Sequence, residues 1–506
     1  LVELLVDLLV DAVDVGASVA PRYGDYAVRL NAEPSARHRV SGLALWADDH
    51  FATDLEQALE HGMASFGRQN LLQGTTGLNW TALWSDDWLS QSSLAHTLAR
   101  FDEHYTDTPS QQPLFSNRSS EHMLALRHRT RRQLTTTSSL SVGGDVVLQQ
   151  GTFDNRYMSR VSPLGDTVPG TLLHTRPRGA RVGVFAAAAH ALGNDLEGTF
   201  GLRLDHGTLT GSTTAGPRVS LAWNVADRTT LSGSFGIYRQ SLPLVVLATP
   251  AHRSLRDPQA LHVVGALEHL LTDDTRITIE LYHKAYDKMP MDPAEPVMMP
   301  LDEVVLGSPF FTPRALLVDS GRADAHGLEL LLQKKRTGRV HALASVAWGR
   351  SRYRGLDGQW RPRAFDNGLL VSAEGGWRAT ERVELSARWI RAGGAPYTPL
   401  DTARSREQNR TVLDRDRVAA ARYPAYHSLN LRVDGRVGDD VDDASVRLAD
   451  HRHPQAGAQA QRRQPARFVG QQRLGSRQAL GLPSGERNPP EAQRVGEGPR
   501  RVPELG

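Results

Sequence analysis

Residues 217–240 read PRVSLAWNVADRTTLSGSFGIYRQ. Successive side chains of a strand point to opposite faces, so Val219, Leu221, Trp223 and Val225 share one side and Arg218, Ser220, Ala222 and Asn224 the other. After a turn at Ala226, Asp227, Arg228 and Thr229 the alternation resumes, with Leu231, Phe235 and Ile237 against Thr230, Ser232 and Ser234. A soluble sandwich turns such an apolar face inward onto a second sheet. A membrane barrel turns it outward into lipid and keeps the polar face around a lumen. Alternation by itself leaves both open.

The pattern recurs from Tyr23 to about Arg436. GDYAVRLN, GLNWTALW, SLSVGGDVVLQQ, DLEGTFGLRLDHG and TRITIELYHKAY each alternate, as do GLELLLQKK with RVHALASVAWGRSRY and LLVSAEGGW with RVELSARWIRAGG. Two kinds of connection join these runs. Ala226 to Thr229, Thr272 to Thr275 and Arg336 to Gly338 are short turns; Gln240 to Leu261, Asp287 to Arg322 and Thr398 to Tyr423 are long and hold Pro, Met and polar groups. Short turns at one end and long loops at the other are the mark of an outer-membrane barrel, and a sandwich has no reason for that asymmetry. Trp80, Trp84, Trp88, Trp223, Trp348, Trp377 and Trp389 fall at or near strand ends, where a barrel places its aromatic girdles. Ordinary core aromatics would serve equally.

Composition narrows the choice. The 506 residues carry a formal net charge of +3 and no cysteine, and mean hydropathy is −0.40. Disulfides and Cys-based zinc sites are therefore impossible. Near-balanced charge gives little reason for a nucleic-acid partner, and none is expected. No run approaches the ~18–20 apolar residues of a spanning helix, which leaves barrels open. No signal peptide is visible at Leu1, so the chain is read as either cytoplasmic or a fragment.

AHGLELLLQKK, LASVAWGRSRYRG, FDNGLLVSAEGGW, RAGGAPYTPLD and RYPAYHSLNLRVD, in that order, resemble the C-terminal barrel half of TonB-dependent outer-membrane receptors. The most telling pieces are Gly327-Leu328-Glu329, Phe365-Asp366-Asn367, Gly394 to Pro399 and Arg422 to Asp434; ITIELYHKAYDKMP and PRVSLAWNV extend the likeness upstream. The resemblance implies an all-β, transmembrane antiparallel barrel of about 22 strands with a plug inside, located in the outer membrane and coupled to TonB through a TonB box. Residues 23–436 would supply about 16 of those strands, an incomplete barrel whose open edges are costly in lipid. No plug or TonB box precedes Tyr23, so coupling to the TonB complex requires both upstream. The function implied is non-enzymatic capture and uptake of a scarce small-molecule ligand such as a metal chelate, cofactor or oligosaccharide. A passive pore or structural barrel and a soluble secreted all-β binding module are the alternatives.

Both ends differ from this middle. Residues 1–22 begin with LVELLVDLLVDAVDVG, an acidic amphipathic helix or a non-native segment. Residues 437–506 are rich in Arg, Gln, Pro and Gly and are expected to be disordered. The change near Gly435 reads as a shifted frame, in which case another frame of the underlying DNA restores alternating strands and a terminal aromatic.

No HExxH, GxSxG or Walker loop is present, and no catalytic, cofactor or metal residue is assigned. His122 with His128, His326 with His341, and His451 with His453 lack third and fourth ligands at metal spacing. Asp48-Asp49, Asp86-Asp87 and Asp273-Asp274 read as turn residues before calcium ligands. Met289, Met291, Met298 and Met299 lie in the longest expected loop, where they either meet a ligand or fold back into the barrel mouth. The ligand itself is not readable.

Overall fold

The computed structural model describes residues 19–303, 314–436 and 443–450. The expected N-terminal helix, His451 and His453 lie outside them. Six long strands come first: β1 (Val19–Ser35), β2 (His38–Thr53), β3 (Ser65–Ser85), β4 (Trp88–Asp107), β5 (Pro113–Thr135) and β6 (Ser138–Tyr157). A connection follows with three short pieces, β7 (Arg160–Val161), β8 (Thr167–Val168) and β9 (Thr171–Thr175). Then come β10 (Arg178–Ala191), β11 (Leu196–Gly207), β12 (Ser212–Ala226), β13 (Thr229–Arg239), β14 (Gln259–Thr272) and β15 (Thr275–Met291). The last part holds β16 (Val318–Thr337), β17 (Val340–Arg354), β18 (Trp360–Pro362), β19 (Leu369–Arg378) and β20 (Val383–Ala392), then β21 (Pro396–Tyr397), β22 (Ala421–Arg422), β23 (Tyr426–Arg436) and β24 (Asp443–Asp450).

Twenty of these strands form one sheet. Short β9 and β18 lengthen the pairing of β6 and β17, and the remaining eighteen make a meander in which each strand is antiparallel to the next in chain order. The expectation of about sixteen strands is close to this. One of the extra strands lies beyond residue 436: β24 pairs with β23 through Val433↔Val446 and Leu431↔Leu448. DASVRLAD does alternate, over eight residues, and the charge around it masks a repeat that short.

The hairpin of residues 217–240 answers which way the apolar faces turn. Leu221 is 42% exposed and Trp223 51%, and neither is covered by a second layer. Their cross-strand neighbours extend the same surface: Trp223 pairs with Leu196 and Leu231, and Val219 with Phe200 and Phe235. Leu78, Leu94, Leu126 and Val146 form another such row across four strands, all exposed. The opposite face is polar; there Arg203 bonds Asp145 and Asp205, each at 2.6 Å. Apolar side chains on the solvent-exposed face with ion pairs on the other invert the order of a soluble sandwich and overturn the soluble-module alternative.

The long connections all lie at one end. Residues 36–37, 86–87, 136–137, 192–195, 227–228, 273–274, 338–339 and 379–382 turn the chain at the opposite end in two to four residues. Gly338, at φ +73°, supplies the positive φ that a two-residue hairpin needs. Adjacent short turns are tied by Arg228 to Asp273 at 2.6 Å. Lys334 and the hydroxyls of Thr272, Thr337 and Thr275 surround Asp274 and hold its carboxyl well below the usual range. The other end carries the long connections 158–177, 240–258, 292–317 and 393–425, along with 54–64, 355–368 and the short links 108–112 and 208–211. Acidic pairs 86–87 and 273–274 are turn residues as expected, whereas Asp48 and Asp49 lie inside β2, which runs on past them to Thr53.

Candidate functional site

At the long-loop end the connections pack into one another. In the loop 240–258, a short helix (Leu244–Leu247) and a 3₁₀ turn (Pro250–Ser254) bury Leu242, Val246, Leu247 and Leu255 with Leu317, while Leu244 meets Phe153 and Leu173 on the sheet wall. His252, 1% exposed, sits in this cluster. Its Nδ1–H donates to the Val246 carbonyl at 3.0 Å, and Nε2 is buried without a partner. Desolvation lowers the imidazole pKa from its ordinary value, against smaller opposing effects of that hydrogen bond and Asp292. A base whose pKa is depressed on folding stabilises the fold above its unfolded pKa and loses that contribution as pH falls through ~6.5. Proteolysis within residues 240–258 should therefore accelerate from pH 7.5 to pH 5, and His252→Gln should flatten that dependence; a parent protein with a flat profile would contradict it.

The methionines sit deeper than a loop-tip reading implies. β15 runs on to Met291, so Met289 and Met291 end a strand, and with Met299, Ala323 and Tyr353 they form a buried cluster. The Tyr353 hydroxyl donates to the Val297 carbonyl at 2.8 Å. Of the two expectations, folding back into the mouth describes them. Beside them Arg314, 2% exposed, is paired with Glu295 and with Asp292 at 3.3 Å, and Arg160 of β7 reaches Glu295 at 3.3 Å. The β7–β8 hairpin also binds loop 393–425: Leu413 N–H donates to the Pro163 carbonyl at 2.7 Å and Arg415 meets Asp166 at 2.6 Å. These two loops lie ten strands apart along the meander, so the sheet must curl until they converge.

Below this cover the polar face carries aromatic and charged groups. Tyr105, Phe115 and Tyr157 stack across β4, β5 and β6 with centroids 5.1 and 5.5 Å apart. Under them Asn117 donates to Glu103 at 2.6 Å and Ser119 to Asn155 at 2.8 Å, all buried. Further round, Arg218 lies 4.6 Å over the Tyr238 ring, which packs at 4.6 Å on His262, itself 6.3 Å from Tyr286. Rings and guanidinium groups on an inner wall can bind a flat or anionic solute. This row escaped sequence reading because its members come from four strands; only their shared parity with Ser220 could have flagged it.

Among the described residues, neither His122 with His128 nor His326 with His341 is brought together as a pair. His122 stacks on His96 at 5.6 Å, His128 contacts Ser92, and His326 lies between His283 and Trp348. Among the described residues no three His, Cys, Asp or Glu side chains gather as a metal site.

Residues 18–449 match the model of the TonB dependent receptor-like β-barrel. The chain belongs to the TonB-dependent receptor family. Solved structures of similar fold include the alcaligin outer membrane receptor FauA of Bordetella pertussis (11% identity, TM-score 0.55, covering 85% of this chain and 66% of that one). The FrpB iron transporter of Neisseria meningitidis (13%, 0.59, 83% and 65%) and the copper transporter OprC (12%, 0.56, 85% and 66%) are also similar. This chain thus spans slightly less than two thirds of the length of these receptors. No curated protein matches it.

The family fixes the surroundings of this TonB-dependent receptor barrel. It lies in the outer membrane, its apolar face meets lipid, and its members are transporters rather than enzymes. The short turns then face the periplasm and the packed loops the exterior.

Proposed function

We propose that this barrel belongs to a receptor that captures a scarce metal chelate at its external mouth and takes it up with TonB-supplied energy. The observation that carries the reading is the combination of a loop cover held by buried ion pairs and apolar clusters with an inner wall bearing Arg218, Tyr238, His262 and Tyr286. Loops packed on one another and on the inner wall favour ligand capture over an open passive channel. Neighbours of similar fold are described as an alcaligin receptor, an iron transporter and a copper transporter, which favours a metal chelate over a sugar. Energisation needs a plug and TonB box in the same polypeptide.

Uptake in the cells that produce the receptor tests this. With radiolabelled ferric and cupric chelates at limiting concentration, uptake should depend on the gene and stop when a protonophore collapses the proton gradient. Gene-dependent uptake that persists with the protonophore would establish a passive pore instead, and uptake of oligosaccharide but not chelate would overturn the ligand class.

A further inference from the structure

A shallow, wide-open depression of about 470 Å³ lies at the loop end of β2 to β5, lined by Arg68, His104 and Arg118 together with Ala52, Thr53, Asp54, Gly67 and Thr106. Strand register sets its side. Ala52, Arg68 and His104 form one cross-strand row, and Asn70, Asp102 and Arg118 the next. Counting back along the strands by twos, these rows share a face with Leu78, Leu94 and Leu126, the lipid-facing side.

The height follows from charge. On that face no Asp, Glu, Lys or Arg occurs between Trp80 and Arg68 on β3, Trp88 and Arg100 on β4, or Arg132 and Arg118 on β5. A strand tilted by ~40° crosses a ~25 Å apolar band in about ten residues. Arg100 stands twelve positions beyond Trp88. Arg100 therefore marks the upper edge of the band, and Arg68, His104 and Arg118 stand immediately above it, at headgroup level.

Charge around the concavity is only partly matched: Asp102 and Asp154 stand opposite Arg118 on the neighbouring strands, but their ion pairs go to Arg68, His104 and His174. Asp102 is shared by Arg68 at 3.6 Å and His104 at 3.1 Å, and Asp54 is occupied in capping the helix Leu55–Glu60. Among the described residues no carboxylate lies within ion-pair distance of Arg100 or Arg118. Arg68 and Arg118 in this depression, with Arg100 just below it on the same face, offer forked donors to a tetrahedral dianion at the polar margin of a bilayer. We propose that this hollow binds the phosphate group of an outer-leaflet lipid, with Arg68 and Arg118 as its principal donors, Arg100 beneath them and the acyl chains lying along the Leu94–Leu126 row. Such a lipid would hold β2 to β5 on their outer side, independently of whatever passes through the lumen.

The test uses the full chain, folded in detergent, with dioleoyl phosphatidic acid added to the micelles and bound adducts counted by native mass spectrometry. The parent should retain phosphatidic acid in preference to phosphatidylcholine. Arg68→Gln with Arg118→Gln should weaken retention about tenfold or more, the change expected when two charge-assisted contacts are lost. Asp102→Asn, which removes the competing carboxylate, should strengthen it, and this arm stands even if the double variant fails to assemble. Arg132→Gln, at the opposite margin of β5, should leave binding unchanged. Competition by millimolar inorganic phosphate equal to that by phosphatidic acid would overturn the lipid as the source. Equal retention by parent, double variant and Asp102→Asn would overturn the site.

Discussion

Leu221→Arg should destabilise the folded barrel by about 2–4 kcal/mol, while Ser220→Arg, one residue away, should be tolerated. Leu221 faces outward between Trp223 and Val219, six positions from the short turn at 227–228 and so close to the middle of a ~25 Å band. A guanidinium there must be solvated by lipid tails or drag water into them. Ser220 shares its face with Arg218 and Asn224 and pairs with Thr199 and Ser234, a wall already polar. Heat-modified migration and urea unfolding of the two variants in the same detergent measure the difference. Equal losses at both positions would mean that the faces are not distinct environments.

Arg314→Ala should loosen the external mouth and leave the sheet intact. Its guanidinium is buried against Asp292 and Glu295, which are themselves buried. Removing one partner strands charge in a poorly solvated place, which costs about 3–5 kcal/mol in buried pairs. Arg160 still reaches Glu295 but brings no contact to Asp292. The loss should appear as faster hydrogen exchange in residues 289–299 with protection of β3 to β5 unchanged. Unaltered exchange in the loop would show that the apolar cluster of Met289, Met291 and Met299 holds it without the ions.

Much of this architecture is legible in the sequence because a strand writes its two environments at period two. The hairpin at 217–240, the pairs 327–354 and 369–392, and the division into short turns and long loops all follow from that repeat. What escaped were features set by distance along the chain. β15 continues to Met291 since Met289 and Met291 pair with Gly321 and Val318, and no local pattern marks that extension. β24 is too short and its flanks too charged for its alternation to stand out. The mouth is built from contacts such as Arg415 with Asp166 and Leu413 with Pro163, between segments some 250 positions apart. Arg218, Tyr238, His262 and Tyr286 read singly as unremarkable strand residues; only register assembles them.

One face of this sheet meets lipid and the other a lumen. The chain contains no cysteine, so Leu221→Cys and Ser220→Cys can each carry a single nitroxide in a barrel reconstituted into bilayers. Power saturation should show the label at 221 relaxed by oxygen, which partitions into lipid, and shielded from a water-soluble nickel chelate, with the reverse at 220. Labels that respond alike, or a label at 221 that is reached by the chelate and not by oxygen, would contradict the outward apolar face and the membrane barrel with it.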